Sequence, residues 1–578
     1  MINLDSMKKM KINENLILFL LLEVSLCQET NNLPPETSEI LYTESGPIRG
    51  LKINKYGMDL YGFLGIPYAK PPIGKLRFKP PEPVTPWSDV FDAYKNGPQC
   101  LQPPSPLSEP FGETSEDCLT LNVFTNNIGS NGLFRKQPQA VMVWIHGGGF
   151  VGGSKNLYRM DELLKEDVVY VAMNYRLHAL GFMSFGNDVV SGNMGLKDQQ
   201  LAIQWVRYNI HHFGGDPNRI TIFGESAGAQ SVQAQVLSPW NSGILNGAIA
   251  QSGSILNLHF KPPGAGRQYG LNIATALGCP ATLDESTLNC MQKLNMEERL
   301  IDITDSEDAV FDPDVDLKYG FFPDVDDYSS NPFIPMDPLE AFMSGMFNRI
   351  PYMSGTNTYE GLMITGPYGG AGITGAAQIE LIQIPAQALA FIHYGQDQIF
   401  SQVALQFYNH TTGNTRFEGE KPFIDFTTDY LFLSSDQKSV ELMSGYVKNV
   451  FNYHLSQPTN SSLLARSMGL TTEYTPTHTD DLVFLIDHDE MQKLFPALIP
   501  DFSDEEMSTS NHMVKYWTNF AKYGTPTGTG DNSHEPAWYP VKPNQKVGLI
   551  HTSFKVDRGR FHHDIPILII DCHPGICL

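Results

Sequence analysis

Two unbroken apolar runs constrain this chain most: Val141-Met142-Val143-Trp144-Ile145 and Val168-Val169-Tyr170-Val171-Ala172-Met173. A strand with one wet face alternates apolar and polar residues, so a run without alternation is covered on both faces. Between residues 196 and 213 apolar side chains recur at helical spacing (Leu201, Trp205 and Tyr208; Ala202, Val206 and Ile210), and Gly214-Gly215 then ends the helix. Residues 219–223 read as a third strand, 227–237 as a helix and 247–250 as a short fourth strand. Strand and helix alternating in this way specify an α/β fold with a large, mostly parallel central sheet and helices on both faces. The chain has 578 residues, 41% hydrophobic and 18% charged, enough apolar material for a large core. No internal repeat or linker interrupts it, and large α/β sheets reach this size as single units. Residues 28–578 are therefore expected to form one domain.

Gly224-Glu225-Ser226-Ala227-Gly228 falls between the third strand and the helix that follows it. Gly-x-Ser-x-Gly in that context is the signature of a nucleophile elbow. The serine sits in a sharp, strained turn, and a side chain at Gly224 or Gly228 would crowd the neighbouring strand and helix. The helix amino terminus behind Ser226 adds N–H groups and a favourable dipole for an oxyanion. His146-Gly147-Gly148-Gly149-Phe150 follows the first apolar run and matches the oxyanion loop of the His-Gly-Gly-Gly type. Its glycines let backbone N–H groups approach a carbonyl oxygen as it becomes negative.

The amino terminus reads as a secretory signal peptide over residues 1–27. Lys8, Lys9 and Lys11 precede the apolar run 16–22, and Ser25-Leu26-Cys27 puts small residues at the −3 and −1 positions of a cleavage site. The run is too short to span a bilayer. A secreted, extracellular protein is expected, with no membrane span. Cysteine usage agrees: Cys100, Cys118, Cys279, Cys290, Cys572 and Cys577 remain after Cys27, in three sequence-local couples. Asn409 and Asn460 head glycosylation sequons. Neither Cys-x-x-Cys nor His-Glu-x-x-His occurs, so no metal site is expected. The formal charge of −24 works against a nucleic-acid partner.

With Gly65-Ile66-Pro67-Tyr68-Ala69, Glu116-Asp117-Cys118-Leu119 and Phe213-Gly214-Gly215-Asp216-Pro217, these motifs together resemble the type-B carboxylesterase/cholinesterase family of α/β-hydrolases. The likeness covers nearly the whole chain after the leader and is closest in pattern to secreted arthropod-type carboxylesterases. The resemblance implies an α/β-hydrolase fold and a serine esterase that cleaves small carboxylic esters without a cofactor, as monomer or dimer. It points to Glu360, in Gly355-Thr356-Asn357-Thr358-Tyr359-Glu360-Gly361, as the triad acid, and to His478, in His478-Thr479-Asp480-Asp481-Leu482, as the base. Thr475 stands where the family usually has glycine. The resemblance further implies Gly148, Gly149 and Ala227 as oxyanion donors, disulfides Cys100–Cys118 and Cys279–Cys290, an Arg77–Glu116 ion pair, and Ser252 touching the acid. Cys572 and Cys577 have no counterpart.

Within the family, a cholinesterase holds its quaternary ammonium on a tryptophan in the first disulfide loop. Residues 101–117 contain no Trp, which argues against acetylcholine. A neuroligin-like adhesion protein would lack the serine and carry a span. A juvenile-hormone-type or other specialised ester hydrolase stays open as the alternative, although the former typically has Gln where Glu225 stands. A general carboxylesterase is the expectation. With a lone histidine as base, its activity would rise through about pH 6.5.

Overall fold

The structure, a computed structural model, describes residues 36–104, 109–128, 134, 136–257, 265–299, 322–365, 421, 424–470, 472–529 and 537–542. The leader, the 366–375 loop, Asn409, Cys572 and Cys577 lie outside them. From Ser38 onward the described residues build one compact unit.

Its frame is a sheet of eleven strands. The strands are β1 (Leu41–Thr43), β2 (Gly46–Lys55), β3 (Met58–Pro67), β4 (Phe91–Ala93), β7 (Thr120–Thr125), β8 (Gln139–Ile145), β9 (Val168–Met173), β10 (Gly215–Glu225), β11 (Gly247–Gln251), β12 (Tyr352–Asn357) and β13 (Val450–Leu455). The small β5 (Gln99–Cys100) and β6 (Thr114–Ser115) pair separately. The order is β1-β2-β3-β7-β9-β8-β10-β11-β12-β13, with β4 beside β2. Every pairing from β9 to β13 is parallel, whereas β1, β2, β3 and β7 join antiparallel. This is the α/β-hydrolase architecture.

The unbroken apolar runs are central strands, and their alternate residues enter different cores. Val141, Val143 and Ile145 join one cluster; Ala140, Met142 and Trp144 join the other. The first face is covered by α1 (Met194–Asn209), α2 (Ala227–Leu237) and α3 (Ser434–Ser444). The second is covered by α4 (Asp504–Tyr523), through Met513, Trp517 and Phe520. A capping box at Ser503 and Glu506 starts α4.

Two expected boundaries shift. The helix expected over 196–213 runs Met194–Asn209 and tightens into a 3₁₀ turn, Ile210–Phe213, ended by Gly214 at φ +81°. The third strand extends from Gly215 to Glu225, with an irregular register between Gly215 and Ile220.

Disulfides join Cys100 to Cys118 and Cys279 to Cys290. Arg77 ties the two loops together. Its guanidinium donates to both Glu116 oxygens at 2.6 Å and to the Leu294 carbonyl at 2.8 Å, beside the second bridge. No helix of the described residues is long and apolar enough to cross a membrane.

Candidate active site

Ser226 follows the last residue of β10 and precedes α2, with φ +58° and ψ −123°. Few side-chain-bearing residues adopt a positive φ, and those that do are held there by their surroundings. Here the Ser226 N–H donates to the Gln251 carbonyl at 2.9 Å, and its own carbonyl accepts from the Gln230 N–H at 3.1 Å. The glycines on either side are sterically required. A Cβ on Gly224 would lie 2.5 Å from the Ile145 carbonyl oxygen, and one on Gly228 2.1 Å from the same atom. Strand β8 and helix α2 thus meet at van der Waals contact around the serine, which stays half-buried among buried neighbours.

The His146–Phe150 segment leaves the end of β8 and touches this elbow: a Cβ on Gly147 would come 3.1 Å from Ser226 Cβ. Gly148, Gly149 and Phe150 all have positive φ. His146 is the buried anchor, stacked on Tyr175 at 4.4 Å. Tyr175 Oη donates to the His146 carbonyl at 2.8 Å. Burial pushes His146 down to about 4, so the ring is neutral at ordinary pH. Gln102, inside the first disulfide loop, clamps the far end: its Oε1 accepts from the Gly153 N–H at 2.9 Å, and its Nε2 donates to the Gly153 carbonyl at 3.0 Å. Gln102 and Tyr175 carried no sequence signal.

Glu360 and His478 meet although 118 residues separate them. Nδ1 of His478 lies 2.7 Å from Glu360 Oε2, and both side chains are buried. The other carboxylate oxygen, Oε1, accepts from Ser252 Oγ and from the Asn357 N–H, each at 2.6 Å. The histidine loop is fixed independently, because Asn357 Nδ2 donates to the Thr477 carbonyl at 2.8 Å. Thr475, in place of glycine, is used by the loop: its hydroxyl accepts from the Thr459 N–H and donates to the Thr472 carbonyl.

Nε2 of His478 faces the elbow, 3.1 Å from Oε1 of Glu225, the residue before Ser226. Sequence reading saw Glu225 but not this contact. Burial opposes protonation of His478, but the carboxylates of Glu225 and Glu360 outweigh it and raise the imidazole pKa above its ordinary value. Burial pushes the Glu225 carboxyl up, against the pull of His478. Asp481 adds a third buried acid, accepting from Gln251 Nε2 at 2.8 Å and Tyr453 Oη at 3.0 Å. Trp517 Nε1 in turn donates to Gln251 Oε1 at 3.0 Å. An imidazolium formed at His478 would lie between the buried carboxyl groups of Glu225 and Glu360.

Each of the six tryptophans has a hydrogen-bond or ring partner. Trp87 donates to the Pro47 carbonyl, Trp205 to Ser45 and Trp517 to Gln251; Trp144 packs on Phe223, Trp240 on Phe333 and Trp538 on Tyr516.

Comparison with known proteins agrees with the fold. The sequence model described as "Carboxylesterase family" matches residues 37–565. The juvenile hormone esterase of Tribolium castaneum is 32% identical over 558 residues, covering 89% of this chain and 89% of that protein. A carboxylic ester hydrolase of Bombus ignitus is 32% identical, covering 87% of this chain and 88% of that protein. The cholinesterase of Mus musculus is also 32% identical, covering 89% and 84% respectively. Matched by that family model over nearly its whole length and about a third identical to these esterases, the chain belongs to the carboxylesterase family.

Proposed function

We propose that this carboxylic ester hydrolase works through Ser226, His478 and Glu360 and prefers neutral esters of small alcohols and phenols. The observation that carries the reading is the 2.7 Å Glu360–His478 contact, with the imidazole's other nitrogen directed at the strained elbow. Ser226 Oγ attacks the ester carbonyl, and His478 Nε2 takes its proton and passes it to the leaving alcohol. Water, activated by the same nitrogen, then releases the acid. Glu360 holds the imidazole in place and stabilises it when protonated. The N–H groups of Gly148, Gly149 and Ala227 receive the oxyanion, one such donor being worth about 3–4 kcal/mol.

The substrate preference rests on the absence of tryptophan between Cys100 and Cys118. A choline head group loses its strongest aromatic partner, a contact worth up to about 2 kcal/mol when desolvated. Naphthyl or nitrophenyl acetate and butyrate are expected to exceed acetylthiocholine in kcat/KM, with juvenile hormone as a third arm of the assay. Faster turnover of acetylthiocholine would overturn the preference while leaving the triad standing.

Activity should depend on pH as the two carboxylates dictate. The base acts only when neutral, so a raised pKa places the rising limb above the ordinary value of about 6.5. Removing one of the raising charges lowers that pKa, so Glu225→Gln is expected to move the limb toward acid by about 1–3 units. A limb unmoved in Glu225→Gln would show that the carboxylate does not act on His478.

We also read the protein as secreted and glycosylated. The leader-like residues 1–27, the two bridges and the exposed Asn460 support this.

A further inference from the structure

We propose that Glu44, His211 and His212 form a surface site for one Zn²⁺ ion, separate from the esterase machinery. One ligand atom from each side chain lies within 4.8 Å of the other two. The two histidines occupy the 3₁₀ turn that ends α1, with ring centroids 3.8 Å apart. Glu44 belongs to the turn between β1 and β2, more than 160 residues away in sequence.

The approach of these two segments is built into the fold. The Glu44 N–H donates to Asn209 Oδ1 at 3.0 Å, and Trp205 Nε1 donates to Ser45 Oγ at 2.9 Å. Both contacts pin the turn onto the end of α1, so the carboxylate is delivered to the histidines by a rigid backbone.

His212 Nε2 points to a ligand. It is buried and has no hydrogen-bond partner among the described residues. Its neighbour is Glu44 Oε1 at 3.8 Å, too long for a hydrogen bond. Around a tetrahedral Zn²⁺ with bonds of about 2.0–2.1 Å, ligand atoms stand about 3.4 Å apart. Closing the set requires a small side-chain rotation, and Glu44, 68% exposed, is free to make it. Two imidazoles and a carboxylate suit zinc rather than calcium or magnesium, which take oxygen ligands. Water would complete the shell. The bound ion would fasten the sheet's first turn to α1, stabilising the folded state in proportion to zinc concentration.

The test is calorimetric titration of ZnCl₂ into the full chain, expressed without a histidine tag and freed of metal by chelator, at about pH 7.5, where unperturbed imidazoles are neutral. One ion per chain is expected at micromolar affinity, weakened at least about tenfold in His211→Ala, His212→Ala and Glu44→Gln. A zinc-dependent rise in Tm should appear in the parent and vanish in the three variants. Ester hydrolysis by the metal-free variants should equal that of the metal-free parent, which separates this site from the triad. Equal zinc affinity in parent and variants, or no binding to the parent at about 100 µM zinc, overturns the proposal.

Discussion

Ser226→Ala is expected to lower kcat by at least about 10⁴-fold while the protein folds normally. The hydroxyl oxygen is the only atom lost, and the backbone bonds that hold the turn, to the Gln251 carbonyl and from the Gln230 N–H, remain. What survives is the catalysis that an oxyanion pocket and substrate binding supply without a nucleophile. Ser226→Gly sharpens the test. A glycine relieves the cost of φ +58°, about 1–3 kcal/mol, so this variant should unfold at an equal or higher temperature than the parent and be equally inactive. The readouts are initial rates on a nitrophenyl ester and a thermal melt. Either variant retaining parental rates while folded would remove Ser226 from the mechanism.

Gly228→Ala is expected to destabilise the protein by more than about 3 kcal/mol, beyond the usual cost of one extra methyl in a core. The new Cβ would fall 2.1 Å from the Ile145 carbonyl oxygen and 3.0 Å from the His146 carbonyl. Neither obstacle is a side chain that can rotate away. One belongs to a central strand paired on both sides, the other to the start of the glycine loop, so relief must separate α2 from β8 and distort the elbow. Gly243→Ala is the control: it also has positive φ, but nothing lies within 4 Å of its Cβ. It should lose only about 1 kcal/mol, the ordinary cost of a left-handed alanine. Denaturant unfolding of the two variants measures the difference, and similar losses would show that close packing at the elbow is not what requires the glycine.

Local chemistry was legible in the sequence wherever neighbours along the chain decide the outcome. Unbroken apolar runs at 141–145 and 168–173 specify doubly covered strands, because a residue without alternation has no wet face to use. Gly224 to Gly228 specifies a strand-to-helix elbow, because only glycine fits where strand and helix touch. Glu360 and His478 were reached through family resemblance. No periodicity or spacing points from one to the other across 118 residues. The antiparallel edge of the sheet was likewise invisible, since strand pairing depends on the return path of the chain.

Tertiary structure alone decided the contacts that set energies. Glu225 is one more acidic residue in the sequence; folding brings it 3.1 Å from His478 Nε2 and thereby changes the expected pH dependence. Gln102 becomes a clamp on the glycine loop only once the Cys100–Cys118 loop folds beside it. The histidine pair at 211–212 is unremarkable until the β1–β2 turn brings Glu44 to it. Patterns along the chain report which surfaces are apolar and which backbone shapes are allowed, because those are properties of single residues and their immediate neighbours. Charge coupling and ligand sets depend on distances across space, and these exist only after the sheet has assembled and the loops have been laid against it.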